Sequence, residues 1–160
     1  MGKALVVFYS FEGNTKFIAE SIAMTINADI VEIKPVNEIK TKGFMKYVWG
    51  GSQIMMKKKP DIEHVDIEID KYDVIFVGTP VWAWTYAPPV NTFISEHNIK
   101  NKKVALFTCH GGQNAKTFEK LKDALPGNSF VGEKDFFEPL LKDKNFNANR
   151  AMEWAKAIMQ

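Results

Sequence analysis

Ser10-Phe11-Glu12-Gly13-Asn14-Thr15 stands between an apolar run, Ala4-Leu5-Val6-Val7-Phe8-Tyr9, and the segment Phe17-Ile18-Ala19-Glu20-Ser21-Ile22-Ala23. The run has the length and composition of a buried strand, and the segment after the turn reads as a helix. A strand, a hydroxyl-rich turn and a helix N-terminus together make an anion pocket. The first backbone N–H groups of the helix have no intrahelical partner, and the helix dipole favours negative charge there. Ser10, Asn14 and Thr15 add side-chain hydrogen bonds. The expected guest is a phosphate monoester, and what that phosphate is attached to decides the function.

Outward from this stretch, strands alternate with helices. The first strand is predicted over about 3–9 and the first helix over about 14–27. Residues 29–33 alternate as a second strand, half buried or near an edge, which Pro35 ends. Residues 36–71 are the least regular part. A helix is expected within 41–56, interrupted near Gly50-Gly51, with Pro60 as its stop. Phe44, Met45, Tyr47, Val48, Trp49, Ile54, Met55 and Met56 fall there and need a place to bury. The expected place is the sheet beside the second strand, and the alternative is an interface with a partner or a second subunit.

Residues 72–78 form a third strand, apolar from Val74 onward as in a strand covered on both faces. A loop over 79–89, a helix near 90–96, a fourth strand over 103–108 and a loop over 109–114 follow. A helix over 115–123 is ended by Pro126-Gly127. Phe130-Val131 and Phe136-Phe137 form a fifth strand, with a break at Glu133-Lys134-Asp135. Asn147 or Asn149 is the expected cap of a last helix that carries Ala151, Met152, Trp154, Ala155 and Ile158. The prediction is an α/β fold: a three-layer α/β/α sandwich on a five-stranded parallel sheet with right-handed crossovers, one domain over residues 1–160.

Composition narrows the function. Apolar residues at 46% imply a globular chain, and a formal charge of +2 gives no strong polyelectrolyte partner. Lys57-Lys58-Lys59 reads as a solvated loop without interleaved aromatics, so no nucleic-acid partner is expected. Cys109 is the single cysteine, which excludes an intrachain disulfide and fits a reducing compartment. The start lacks the shape of a signal peptide, and no apolar stretch approaches the roughly 18 residues of a membrane span. A cytoplasmic protein with no transmembrane segment is expected. His64 and His97 have no metal spacing. The acidic residues Asp61, Glu63, Asp66, Glu68 and Asp70 read as a solvated approach to the third strand, so no metal is expected.

In an open parallel sheet, ligands bind at the carboxyl ends of the strands near the switch in strand order. Three loops meet that description: 10–15, 79–84 and 109–114. The first suits an anion. The second, Thr79-Pro80-Val81-Trp82-Ala83-Trp84, is aromatic. The third, Cys109-His110-Gly111-Gly112-Gln113-Asn114, has glycines that let backbone approach a ligand. The dinucleotide pattern Gly-x-Gly-x-x-Gly is missing, and Lys16 follows Thr15 rather than preceding it, so the ATPase pattern is missing too.

Ser-Phe-Glu-Gly-Asn-Thr resembles the flavodoxin phosphate loop, and Gly78-Thr79-Pro80-Val81-Trp82 resembles that family's second flavin loop. The resemblance runs through nearly the whole chain. It implies sheet order 2-1-3-4-5, non-covalent FMN and electron transfer, with no catalytic side chain of its own. The implied phosphate residues are Ser10, Phe11, Glu12, Gly13, Asn14 and Thr15. Thr79, Pro80, Val81 and Trp82 match the loop beside one ring face, and Ala83 the position near flavin N5. Cys109, His110, Gly111 and Gly112 match the loop over the other side and the pyrimidine edge. The implied partner is a redox protein or a small-molecule electron donor or acceptor. An FMN-dependent NAD(P)H or quinone reductase and a non-catalytic interaction module are the alternatives.

Three features depart from the family. The chain is not acidic, which weakens the expectation of docking on basic redox partners. His110 stands where many members have a stacking aromatic. Ala83 stands where some have a glycine whose peptide flips on reduction. Alanine is expected to resist positive φ, with Trp82 and Trp84 restricting the loop further. Trp82 is the expected flavin neighbour, Trp84 is expected in core or rim packing, and Cys109 is expected to be a small core residue.

Overall fold

The computed structural model describes residues 2–37 and 59–160. The helix expected within 41–56, with its apolar side chains and most of the lysine run, lies outside the described residues. The elements are β1 (Ala4–Phe8), α1 (Asn14–Ile26), β2 (Asp29–Glu32), a single 3-10 turn (Ile69–Lys71), β3 (Val74–Trp82), β4 (Thr85–Tyr86), α2 (Pro88–Glu96), β5 (Lys103–His110), α3 (Thr117–Ala124), β6 (Ser129–Phe137) and α4 (Lys144–Met159).

Five strands run in the order β2-β1-β3-β5-β6, all pairs parallel, and the two-residue β4 pairs antiparallel with β3. The sequence-predicted sandwich and strand order are therefore present, with β4 an addition. β1 lies between β2 and β3 and is buried at every residue, whereas β2 is an edge strand with exposed Asp29 and Ile30. Alternation along the strands sends side chains to two apolar layers. Val6, Phe8, Phe76, Phe107 and Phe136 meet Ile18 and Ile22 of α1 and Ala151 and Ala155 of α4 on one face. Leu5, Val7, Ile75, Val77 and Leu106 meet Val90 and Phe93 of α2 and Leu121 of α3 on the other.

Several boundaries differ from the sequence prediction. β3 runs past Gly78 to Trp82 and β5 runs past Thr108 to His110, because the two strands stay paired as far as Pro80 and Cys109. Residues 79–82 and 109–110 are thus strand, not loop. Pro88 and Pro89 open α2 rather than precede it, the position where a missing N–H costs nothing. β6 is continuous through Glu133-Lys134-Asp135. Its irregularity lies earlier, where Val104 and Ala105 pair with Phe130 and Gly132 and Val131 is skipped. The cap of α4 is Asp143, whose carboxylate accepts the Phe146 N–H at 3.0 Å. Asn147 is buried inside the first turn and donates to the Lys142 and Asp143 carbonyls.

Candidate functional site

A cleft of about 450 Å³ opens at the carboxyl ends of β1, β3 and β5, within the roughly 300–1,000 Å³ of small-molecule sites. Its wall contains Ser10, Phe11, Glu12, Asn14 and Thr15 from the first turn. Pro80, Val81 and Trp82 come from the end of β3, and Cys109, His110, Gly111 and Gly112 from the end of β5. Gly13, Thr79 and Ala83 are not in the wall. Their parts are conformational.

Gly13 takes φ 96° and caps α1 without a side chain. The first-turn amides of α1 are therefore left for a ligand or solvent. Ser10 Oγ accepts the Gly13 N–H at 3.2 Å and closes the turn. Asn14 Oδ1 accepts the Leu140 N–H at 3.1 Å, which ties the turn after β6 to the first loop. Thr79 is fully buried; its hydroxyl accepts the Ala87 N–H at 2.9 Å and holds the β3–β4 hairpin against α2. Thr15 is buried and its hydroxyl bonds the Cys109 thiol. Burial pushes that thiol up to about 12, against which the Thr15 bond acts only in part. Cys109 is a core residue, as the sequence reading had it.

The hairpin corrects one expectation. Ala83 and Trp84 take φ 46° and 63°, although alanine was expected to resist that region. Two consecutive residues at positive φ are what a two-residue hairpin needs to match strand twist. Val81 and Trp82 pair with Tyr86 and Thr85 across it. Trp82 is buried, edge-to-face with Tyr9 at 5.5 Å and Phe11 at 5.8 Å. Trp84 is 65% exposed at the cleft mouth, at the rim and not in a core.

His110 faces the cleft from the end of β5. Its Nε2 lies 2.8 Å from Asp135 Oδ2, and its Nδ1 is buried without a partner among the described residues. The wall also contains Trp84, Gln113, Glu138 and Leu141, which were not among the sequence candidates. Glu138 and Leu141 follow β6, whose carboxyl end was not among the three loops expected to meet a ligand. None of the described wall residues is lysine or arginine. The side-chain hydroxyls of the wall are those of Ser10 and Thr15, and its carboxylates are those of Glu12 and Glu138. No group of metal-ligating side chains occurs among the described residues, and no helix among them is long and apolar enough to cross a membrane.

Comparison with known proteins gives a consistent result. A family model described as flavodoxin matches residues 3–148. A flavodoxin-like domain-containing protein, BilS, from Clostridioides difficile (strain CD3) is 30% identical over 134 residues, 81% of this chain. The chain spans only 61% of that relative's length. A flavoprotein from Lactobacillus acidophilus NCFM, solved in complex with FMN, is 26% identical with a TM-score of 0.72, over 90% of this chain and 98% of that one. A protein from Bacteroides eggerthii DSM 20697, 24% identical, superposes with a TM-score of 0.79 over 100% of this chain and 99% of its own. At that identity the match shows the fold alone.

Proposed function

This chain belongs to the flavodoxin family, and from that premise we propose that it binds FMN in the cleft and carries electrons between redox partners. The observation that carries the reading is the convergence of three strand ends on one cleft, with an anion-suited turn at one end and aromatic side chains beside it. The flavoprotein solved with FMN supports the choice of cofactor. The phosphate belongs at the α1 N-terminus, where the Asn14 and Thr15 amides and the Ser10 and Thr15 hydroxyls supply donors and no cation is required. The ring belongs between the hairpin at Trp82 and Trp84 and the turn after β5. Bound FMN supplies the electron chemistry. The chain orients it, shields it from water with Trp82 and Phe11, and leaves one edge open to a partner. We assign this role to residues 1–160 as one domain.

One observation favours a second reading, an FMN-dependent NAD(P)H or quinone reductase. Nothing lies within 4 Å of where a side chain at Gly112 would begin, which leaves room over that side of the site for a small electron donor. The two readings separate on anaerobic mixing of the FMN-loaded protein with NADH or NADPH. A carrier keeps its yellow colour until a separate reductase is added. Bleaching at once by the nucleotide alone rules out the carrier role and establishes the reductase.

A further inference from the structure

His110 and Asp135 form a pair for which electron carriage by itself has no use. The register of β5 and β6 sets His110 opposite Phe137, with Asp135 two residues back on the same face. The His110 side chain is 8% exposed, and that of Asp135 is 52% exposed. A carboxylate oxygen only accepts, so Nε2–H donates to Asp135, and in the uncharged imidazole this tautomer leaves Nδ1 as the acceptor. That acceptor is buried and unpaired among the described residues. Buried unpaired acceptors are uncommon and call for a partner from outside the fold. The Glu138 N–H is committed elsewhere, to the His110 carbonyl at 2.9 Å. Phe137, 5.9 Å away, offers only a ring.

We propose that His110 is a specificity-determining residue whose Nδ1 accepts the ring imide N–H of the bound flavin, with Asp135 as the positioning residue that fixes the tautomer. The inference rests on the FMN reading. Of the donors on FMN, the imide N–H is chosen from the strand geometry. Cys109 packs with Ile18 and Ala19 on the α1 face of the sheet, the side on which the phosphate turn opens. His110, next along the strand, faces the other side of the sheet. The dimethylbenzene edge of the ring has no donor to offer, so the acceptor also selects which edge of the flavin enters the cleft.

The test compares FMN with N3-methyl-FMN, which lacks the imide proton, by quenching of flavin fluorescence. The proteins are the full chain, His110→Phe, His110→Gln and Asp135→Asn. The wild type is expected to prefer FMN by about tenfold. His110→Phe abolishes the preference, His110→Gln keeps part of it through its amide oxygen, and Asp135→Asn lowers it with the ring still present. In wild-type protein the 15N resonance of His110 Nδ1 is expected to be that of an unprotonated nitrogen and to move on adding FMN. An equal preference in wild type and His110→Phe, or an Nδ1 signal indifferent to FMN, overturns the inference and leaves FMN binding standing. A wild-type protein that binds neither flavin overturns both.

Discussion

Gly78 shows how one residue fixes the sheet next to the site. A Cβ built there runs into the tip of the Phe107 ring on β5, closest to Cζ, then Cε2 and Cε1. Gly78→Ala is expected to cost about 1–3 kcal/mol through overpacking, read as a lower urea midpoint in the flavin-free protein. Ala83 behaves in the opposite sense. At φ 46° its methyl is strained, and Ala83→Gly is expected to raise stability by about 1 kcal/mol; a lower or unchanged midpoint contradicts the strain. Cys109 predicts a pH dependence. Burial lifts its thiol from 9.0 to about 12, so above pH 9 the unfolded chain gives up this proton while the folded chain keeps it. The contribution is complete below pH 9 and is lost as pH rises from there towards 12. Cys109→Ala is expected to flatten the alkaline fall in stability, measured by denaturation at a series of pH values.

At the scale of elements, the apolar runs at 4–9, 72–78 and 103–108 marked the three central strands, because strands covered on both faces carry little else. Their ends were not legible. Composition turns polar or irregular after Gly78 and Thr108, yet pairing continues to Pro80 and Cys109, and backbone pairing leaves no mark on side-chain type. The charged stretch Glu133-Lys134-Asp135 looked like a break for a related reason. β6 is an edge strand, where outward charges are tolerated and guard against edge-to-edge association. The α4 cap was misread because asparagine and aspartate are both good caps, and only the fold shows Asn147 turned inward and Asp143 serving Phe146. Asp143→Ala is expected to lower stability by about 1 kcal/mol, read in thermal melts. An unchanged melt means that packing of α4 on α1 holds the helix without its cap.

At the scale of the whole molecule, the sheet order does the assembling. Placing β3 between β1 and β5 brings together turns that lie about 70 and 100 residues apart along the sequence, each recognisable by its composition. Most of the candidate site was legible for that reason. What escaped were Trp84, Gln113, Glu138 and Leu141 as wall residues and the Asp135 partner of His110, since these depend on loop conformation and strand register rather than on residue type. The proposed function depends on the cleft taking FMN by its phosphate at the α1 N-terminus. Flavin fluorescence titrations with FMN and with riboflavin, on wild type and Thr15→Ala, test it most directly. Wild type is expected to quench FMN and bind it far more tightly than riboflavin, and Thr15→Ala to weaken FMN much more than riboflavin. FMN fluorescence unchanged by wild-type protein, or equal affinity for the two flavins, contradicts it.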